Sequence, residues 1–205
     1  MREIAIIDYG AGNLRSVQKA FEKIGQQAFI ASDKSGIEKS AALVFPGQGS
    51  LPSALQGLEE RKLIYPILDW IKSGNPFLGV CLGLQFLLDH SEEGNCAGLG
   101  VVPGSVKRFN QVGKVPHMGW NSVELIGAHP IFKNVDTSNQ FYFVHSYYAE
   151  VTDKKWLKGT TRYGVEFCSV LAHENVIATQ FHPEKSGTVG LKLYENFAES
   201  MVRQK

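Results

Sequence analysis

Three short stretches carry side chains that could do covalent chemistry together. In the first, Cys81 stands between Gly79 and Gly83, directly after the apolar run Phe77, Leu78 and Val80. That run suits a strand covered on both faces. Leu82, Gln85, Phe86 and Asp89 then fall at helical spacing. A strand that turns straight into a helix crowds its own backbone, and glycine removes the side chains that would clash. The same bend presents the serine of a G-x-S-x-G elbow above its sheet; here a thiol takes that place. A helix N-terminus behind the sulfur favours thiolate, and the Leu82 backbone N–H would face an oxyanion formed on a carbonyl under attack.

The second stretch is His182-Pro183-Glu184, at the end of an apolar run from Val176 to Phe181. Residues i and i+2 of a strand point to the same side, so the carboxylate is expected to reach the imidazole. A nucleophilic thiol needs a base, and the base needs a partner that sets its tautomer; Cys81, His182 and Glu184 fill those roles in that order. The third stretch is Pro46-Gly47-Gln48-Gly49-Ser50, a glycine-rich loop after a strand, whose N–H groups could bind an anion or an oxyanion. Each stretch also has an ordinary reading: a buried structural cysteine, a packed or solvated histidine, a turn into the next helix.

The elements that would position these groups alternate between strand and helix patterns. Glu3–Asp8, Ala28–Ala31, Ala41–Phe45 and Phe77–Val80 read as strands. Helices are expected over Leu14–Ile24, with Gly25 as C-cap, over Ser53–Leu58, over Lys62–Ser73 with Pro66 in its first turn, and over Ser186–Val202. Asp8-Tyr9-Gly10-Ala11-Gly12-Asn13 follows the first strand; it lacks the third glycine of a dinucleotide fingerprint and also reads as a tight turn. His90–Asn95 reads as a polar loop. From Gly98 to Val151 the helical pattern fades, and short β-like runs appear at Val101–Val102, Ser105–Phe109, Ser122–Ile126, Phe141–Val144 and Tyr147–Val151. Val165–Leu171 and Val176–Phe181 pattern as a hairpin turning at Ala172–Asn175. The expected fold is α/β: an open, mostly parallel central sheet with flanking helices, and an added antiparallel β region.

Composition narrows the function classes. The 205 residues suit one domain, 1–205, with 43% apolar and 20% charged residues. A net charge of +1 gives no electrostatic reason to expect nucleic acid or an anionic membrane as partner. Three cysteines, none in a C-x-x-C pair, argue against a disulfide framework and a zinc site, and for a reducing compartment. The apolar run at the N-terminus is too short for a signal peptide, so a cytoplasmic location is expected. No metal or cofactor is expected.

Taken together, Phe77–Gln85, Pro46–Gly49 and His182–Glu184 resemble the three signatures of class I glutamine amidotransferases, in order and over essentially the whole chain. Asp8–Leu14, Val115-Pro116-His117-Met118-Gly119-Trp120-Asn121 and His182–Ser186 are similar, more narrowly, to the glutaminase subunits of imidazole glycerol phosphate synthases. The resemblance implies a flavodoxin-like sheet and L-glutamine as substrate. It implies Cys81, His182 and Glu184 as catalytic residues, and Gly47, Gln48, Gly49 and Leu82 as the oxyanion hole. Gln85, Ser146 and Tyr147 would be substrate contacts, His145 a structural histidine. It further implies a (β/α)8-barrel cyclase as heterodimer partner; Asn13, Trp120 and Lys185 lie in the narrower stretches and are candidates for that interface. Gln48 departs from the small apolar residue common at its position. Another class I glutaminase, of the pyridoxal phosphate synthase type, and a non-catalytic scaffold subunit of the same fold are the competing readings.

Overall fold

The structure, a computed structural model, describes residues 3–110, 113–136 and 138–202, with side chains through 200. In chain order the strands are β1 (Ile4–Ile7), β2 (Ala28–Ala31), β3 (Ala42–Phe45), β4 (Phe77–Val80), β5 (Leu88–Ser91), β6 (Cys96–Ala97), β7 (Val102–Arg108), β8 (His117–Asn121), β9 (Glu124–Leu125), β10 (Phe141–His145), β11 (Tyr147–Val151), β12 (Leu157–Tyr163), β13 (Val165–His173) and β14 (Val176–Thr179). The helices are α1 (Leu14–Lys23), α2 (Lys34–Lys39), α3 (Leu51–Glu60), α4 (Ile64–Lys72), α5 (Leu82–Gln85) and α6 (Gly187–Phe197).

One large sheet runs β2-β1-β3-β4-β14-β13-β11-β7-β5-β6, and β12 and β9 extend it from β13. From β2 to β14 all pairings are parallel; from β14 onward they are antiparallel, except β5 with β7. The parallel strands are apolar without alternation because both faces are covered. Ile4, Ile6, Val44 and Leu78 pack under α1 and α6, with Phe21, Leu193 and Phe197. Ala5, Ile7, Leu43 and Phe77 face α3 and α4, with Leu58, Ile67 and Ile71. β8 and β10 form a separate antiparallel ribbon.

This topology explains why the three reactive stretches meet. The chain leaves β1 toward β2 on one side and returns to β3 on the other. Ligands gather at such a reversal, beyond the carboxyl ends of the strands. The loops after β1, β3, β4 and β14 are those carrying Tyr9, Gly47, Cys81 and His182, and these strands are successive neighbours in the sheet.

Several boundaries differ from the sequence reading. The helix after Cys81 is a single turn, Leu82–Gln85, and Asp89 lies instead on β5. Leu87 O accepts both the Val101 and Val102 N–H groups, and Leu88 pairs with Val102, so distant strand pairing overrides the local helical spacing. His90–Asn95 is correspondingly part strand and part 3₁₀ turn, not a loop throughout. Leu157–Tyr163 and His117–Asn121 are strands that the pattern did not reveal, and α2 is a short charged helix capped by the Asp33 carboxylate on the Gly36 N–H.

Candidate active site

Cys81 adopts φ 50°, ψ −97°, a conformation that side chains other than glycine rarely take. Such strain persists only where surroundings over-determine it, and here they do. The Cys81 N–H donates to Thr179 O at 2.7 Å, extending the β4–β14 ladder into the bend. A Cβ on Gly79 would sit 2.6 Å from Gly83 O, and one on Gly83 2.6 Å from Phe45 O, so the two bracketing glycines are there for close approach. Gly47 has the same job in the neighbouring loop: a Cβ there would meet Val80 O at 2.1 Å. Cys81 is buried, 6% exposed, with the Val144 carbonyl 4.0 Å from its sulfur.

His182 reaches the same cavity from β14. That strand ends at Thr179, and Pro183–Lys185 is a 3₁₀ turn, so His182 and Glu184 are not alternate residues of a strand as the spacing suggested. The turn folds the carboxylate back instead, and Glu184 Oε1 lies 2.7 Å from His182 Nδ1. Glu184 Oε2 accepts the Tyr194 hydroxyl at 3.2 Å. The histidine backbone is pinned as well: its N–H donates to Tyr142 O at 2.9 Å, and its carbonyl accepts from Ser186 Oγ at 2.7 Å.

Burial, the strongest single influence on His182, works to lower its pKa. The influence of the nearby Cys81 sulfur, then the hydrogen bond and charge of Glu184, outweigh it and hold the imidazole up to about 10. Burial likewise works to raise Glu184, but its partnership with His182 keeps the carboxyl below its ordinary range. The imidazole Nε2 is buried without a hydrogen-bond partner, so it is available to the sulfur and to a bound reactant.

Cys81, His182, Gly47, Gln48, Gly49, Leu82, Gln85, Ser146 and Tyr147 all line one cavity of about 410 Å³. With Glu184 joined to them through His182, the expected catalytic, oxyanion and substrate residues are brought together. The Leu82 N–H opens α5, where helical N–H groups have no acceptor within the helix. In the facing loop the Gln48 N–H is engaged by the Tyr9 hydroxyl at 3.2 Å, and that hydroxyl shares its own proton between the Pro46 and Gln48 carbonyls. Burial, foremost, pushes Tyr9 up to about 12, so it stays protonated; its ring stacks on Phe45 at 4.9 Å.

Two residues of the site, one at the cavity wall and one behind Cys81, were missed by the sequence reading. Glu93, taken as part of a polar loop, caps the Leu51 N–H at 2.7 Å and puts a carboxylate at the cavity wall. Gln180, read only as strand, lies beside Cys81. The period-2 spacing that pointed forward from His182 to Glu184 points backward to Gln180 equally well. His145 lines the cavity with both ring nitrogens already engaged within the protein. Its Nδ1 lies 2.7 Å from Tyr147 O and its Nε2 2.9 Å from His117 Nδ1. Burial pushes His145 down to about 3 and His117 to about 4, so both are neutral.

The three interface candidates do not cluster as one contact set. Asn13 is exposed, and its side chain caps α1 on the Ser16 N–H. Trp120 is 54% exposed on β8, on the same side as Met118 at 60%, which rules out a core role. Lys185 is half-buried at the cavity, 6.0 Å from the Tyr142 ring centre, and Tyr142 in turn meets Trp120 edge-on.

A family model described as glutamine amidotransferase class-I matches residues 5–201. The chain therefore belongs to the class I glutamine amidotransferases. Solved structures agree on the fold: one described as a glutamine amidotransferase superposes with a TM-score of 0.76 over 96% of this chain and 97% of its own, at 20% identity. A putative GMP synthase subunit from Thermoplasma acidophilum gives 0.73, also at 20% identity, over 97% of this chain and 93% of that one. Closer relatives narrow the placement. Imidazole glycerol phosphate synthase subunit HisH of Geobacter sulfurreducens is 46% identical, covering 97% of this chain and 99% of its own length. That of Syntrophotalea carbinolica is 46% identical, covering 96% and 99%. Within the amidotransferases, the chain belongs with these HisH subunits.

Proposed function

We propose that the chain hydrolyses L-glutamine to glutamate and ammonia through a cysteinyl thioester and hands the ammonia to a cyclase subunit. The observation that carries this reading is the buried His182 imidazole, held by Glu184 on one side and influenced by the Cys81 sulfur on the other. The Cys81 thiolate attacks the side-chain amide carbon, forming the S–C bond and an oxyanion. The Leu82 N–H and an N–H of the Gly47–Gly49 loop face that oxyanion, each worth about 3 kcal/mol of transition-state stabilisation. His182, protonated at neutral pH, gives its proton to the departing ammonia as the C–N bond breaks. The neutral imidazole then takes a proton from water, which attacks the thioester and releases glutamate and thiolate. Glu93 and Lys185 at the cavity wall suit the ammonium and carboxylate of an α-amino acid, alongside Gln85, Ser146 and Tyr147.

Ammonia released without an acceptor would waste glutamine. The partner in this reading is a (β/α)8-barrel cyclase, bound as a heterodimer over the face that bears Trp120 and Met118. It uses ammonia to form imidazole glycerol phosphate and an aminoimidazole carboxamide ribonucleotide in histidine biosynthesis. The whole chain, 1–205, acts as one amidotransferase domain in the cytoplasm, without nucleic acid, membrane or cofactor; among the described residues no helix is long and apolar enough to cross a membrane. Because the Gln48 N–H is engaged by Tyr9, the isolated chain is expected to be a slow glutaminase. The test is glutamate release with and without the cyclase and its nucleotide ligand, together with covalent labelling of Cys81 by a glutamine-like electrophile. Full activity without a partner overturns the coupling. Absence of labelling with the partner present favours the scaffold reading. Stimulation only by a pyridoxal phosphate synthase favours the other glutaminase.

A further inference from the structure

We infer that Gln180 is a further catalytic residue, whose side-chain amide donates a hydrogen bond to the Cys81 thiolate. This rests on the cysteine-nucleophile reading above and deepens it. Gln180 is the first residue beyond β14, whose last ladder partner Thr179 pairs with Val80, so backbone register delivers it beside the nucleophile. It is fully buried, and its Nε2 lies 3.5 Å from Cys81 Sγ.

The orientation of this amide follows from its neighbours. Gln85 Nε2 lies 2.8 Å from Tyr147 O and 3.1 Å from Gln180 Oε1. A backbone carbonyl only accepts, so the Gln85 atom facing it is the NH₂ group. That NH₂ spends its second hydrogen on Gln180, so Gln180 presents its oxygen to Gln85 and its own NH₂ to the sulfur. Turning Gln180 over would set two NH₂ groups against each other in a buried place, at a cost of a lost hydrogen bond and an orphaned donor. The chain is closed at its far end too. The second donor on Tyr147 O is His145 Nδ1–H, which leaves His145 Nε2 to accept from His117 Nδ1–H at 2.9 Å; Asn121 Nδ2 then donates to His117 Nε2 at 3.2 Å.

The sulfur needs such a donor. α5 is only four residues long, so its aligned peptide dipoles supply less than a full helix would. A hydrogen bond to an ionised acceptor is roughly twice as strong as a neutral one. Gln180 therefore favours the thiolate before attack and again when the thioester breaks. It also restricts Gln85, expected from sequence to hold substrate: both hydrogens of that NH₂ are committed within the protein, which leaves its oxygen for the substrate ammonium.

The test is the pH dependence of Cys81 alkylation by iodoacetamide in the full chain, read on the Cys81 peptide by mass spectrometry so that Cys96 and Cys168 do not contribute. Gln180→Leu is expected to move the midpoint up by about one pH unit, a tenfold slower reaction below both midpoints. Gln180→Glu, with a carboxylate beside the sulfur, moves it further in the same direction. In glutamine hydrolysis with the partner, Gln180→Leu lowers kcat about tenfold while KM moves less than about threefold. A filler of space would leave the alkylation profile unmoved: superimposable profiles for wild type and Gln180→Leu overturn the inference. If the leucine variant does not fold, an unmoved profile in Gln180→Glu does the same. Alkylation requires no glutamine, so a shifted profile in a chain that hydrolyses none would refute the glutaminase reading and leave this one standing.

Discussion

The parallel half of the sheet and the antiparallel region facing it, β11 together with the separate β8–β10 ribbon, contribute differently to one site. From the parallel strands come the bend at Cys81, the Gly47–Gly49 loop and His182, each placed by a loop at a strand's carboxyl end. Across from them, β10 and β11 supply the Val144–Tyr147 wall of the cavity, backed by the His117–His145 pair. In the first region position is a matter of backbone: ladder register, glycine contacts and a strained dihedral. In the second it is a matter of a chain of side-chain hydrogen bonds, each fixing the donor and acceptor of the next. Backbone placement suits the groups proposed to make and break bonds, because they must not drift. A relay of neutral side chains suits the wall proposed to orient substrate, which adjoins the exposed ribbon at Trp120.

The largest effect tests the first region. Cys81→Ala is expected to cut glutamine hydrolysis by about 10⁴-fold or more, while urea unfolding stays close to wild type and synthesis from ammonium salts with the cyclase survives. Loss of both activities together would break the division of labour. Glu184→Gln comes next, with about 10²-fold lower hydrolysis. The imidazole would also titrate well below its present value of about 10, because burial then acts against its charge with one opposing carboxylate gone; NMR of the His182 ring is the readout.

Trp120→Ala probes the second region's outer face. Stability of the isolated chain should change by less than about 0.5 kcal/mol, whereas cyclase binding weakens by about 2 kcal/mol, roughly 30-fold, measured by titration calorimetry. Unchanged binding would move the interface elsewhere.

The smallest effect separates the two regions by pH. His117 and His145 are held neutral in the fold, near 4 and 3, against an ordinary value near 6.5. The unfolded chain therefore binds more protons below pH 6.5, and stability falls as pH drops from there toward 4 and below. His117→Gln should remove up to about 1.4 kcal/mol per pH unit of that slope, seen in urea midpoints. His182 has the opposite sign: its stabilisation is complete below pH 6.5 and is lost as pH rises through about 10. An acid slope unaltered in the variant would mean that the pair is not the source.

The chemistry was legible where it is local. Glycines around Cys81, the His-Pro-Glu run and the loop at Gly47 can be read from the chain because each answers to sterics or bonding within a few residues. Buried parallel strands were equally plain, being apolar without interruption. Trp120 was not: β8 carries one-sided exposure in a two-stranded ribbon, and no spacing rule distinguishes that from core.

Residue order alone marked Cys81, His182 and Glu184 as candidates for the chemistry, set Cys81 and the Gly47 loop at the ends of strands, and established that the fold is α/β. Tertiary structure alone decided that the helix behind Cys81 stops after one turn, since Leu88 is claimed by a strand still to come. It also decided that Glu184 reaches its imidazole through a turn, that Tyr9 engages the Gln48 N–H, and that Gln180 faces the sulfur. All but the Glu184 turn depend on a partner far along the chain. Hydrogen-bond direction and strand pairing are properties of what meets in space, and local spacing does not encode them.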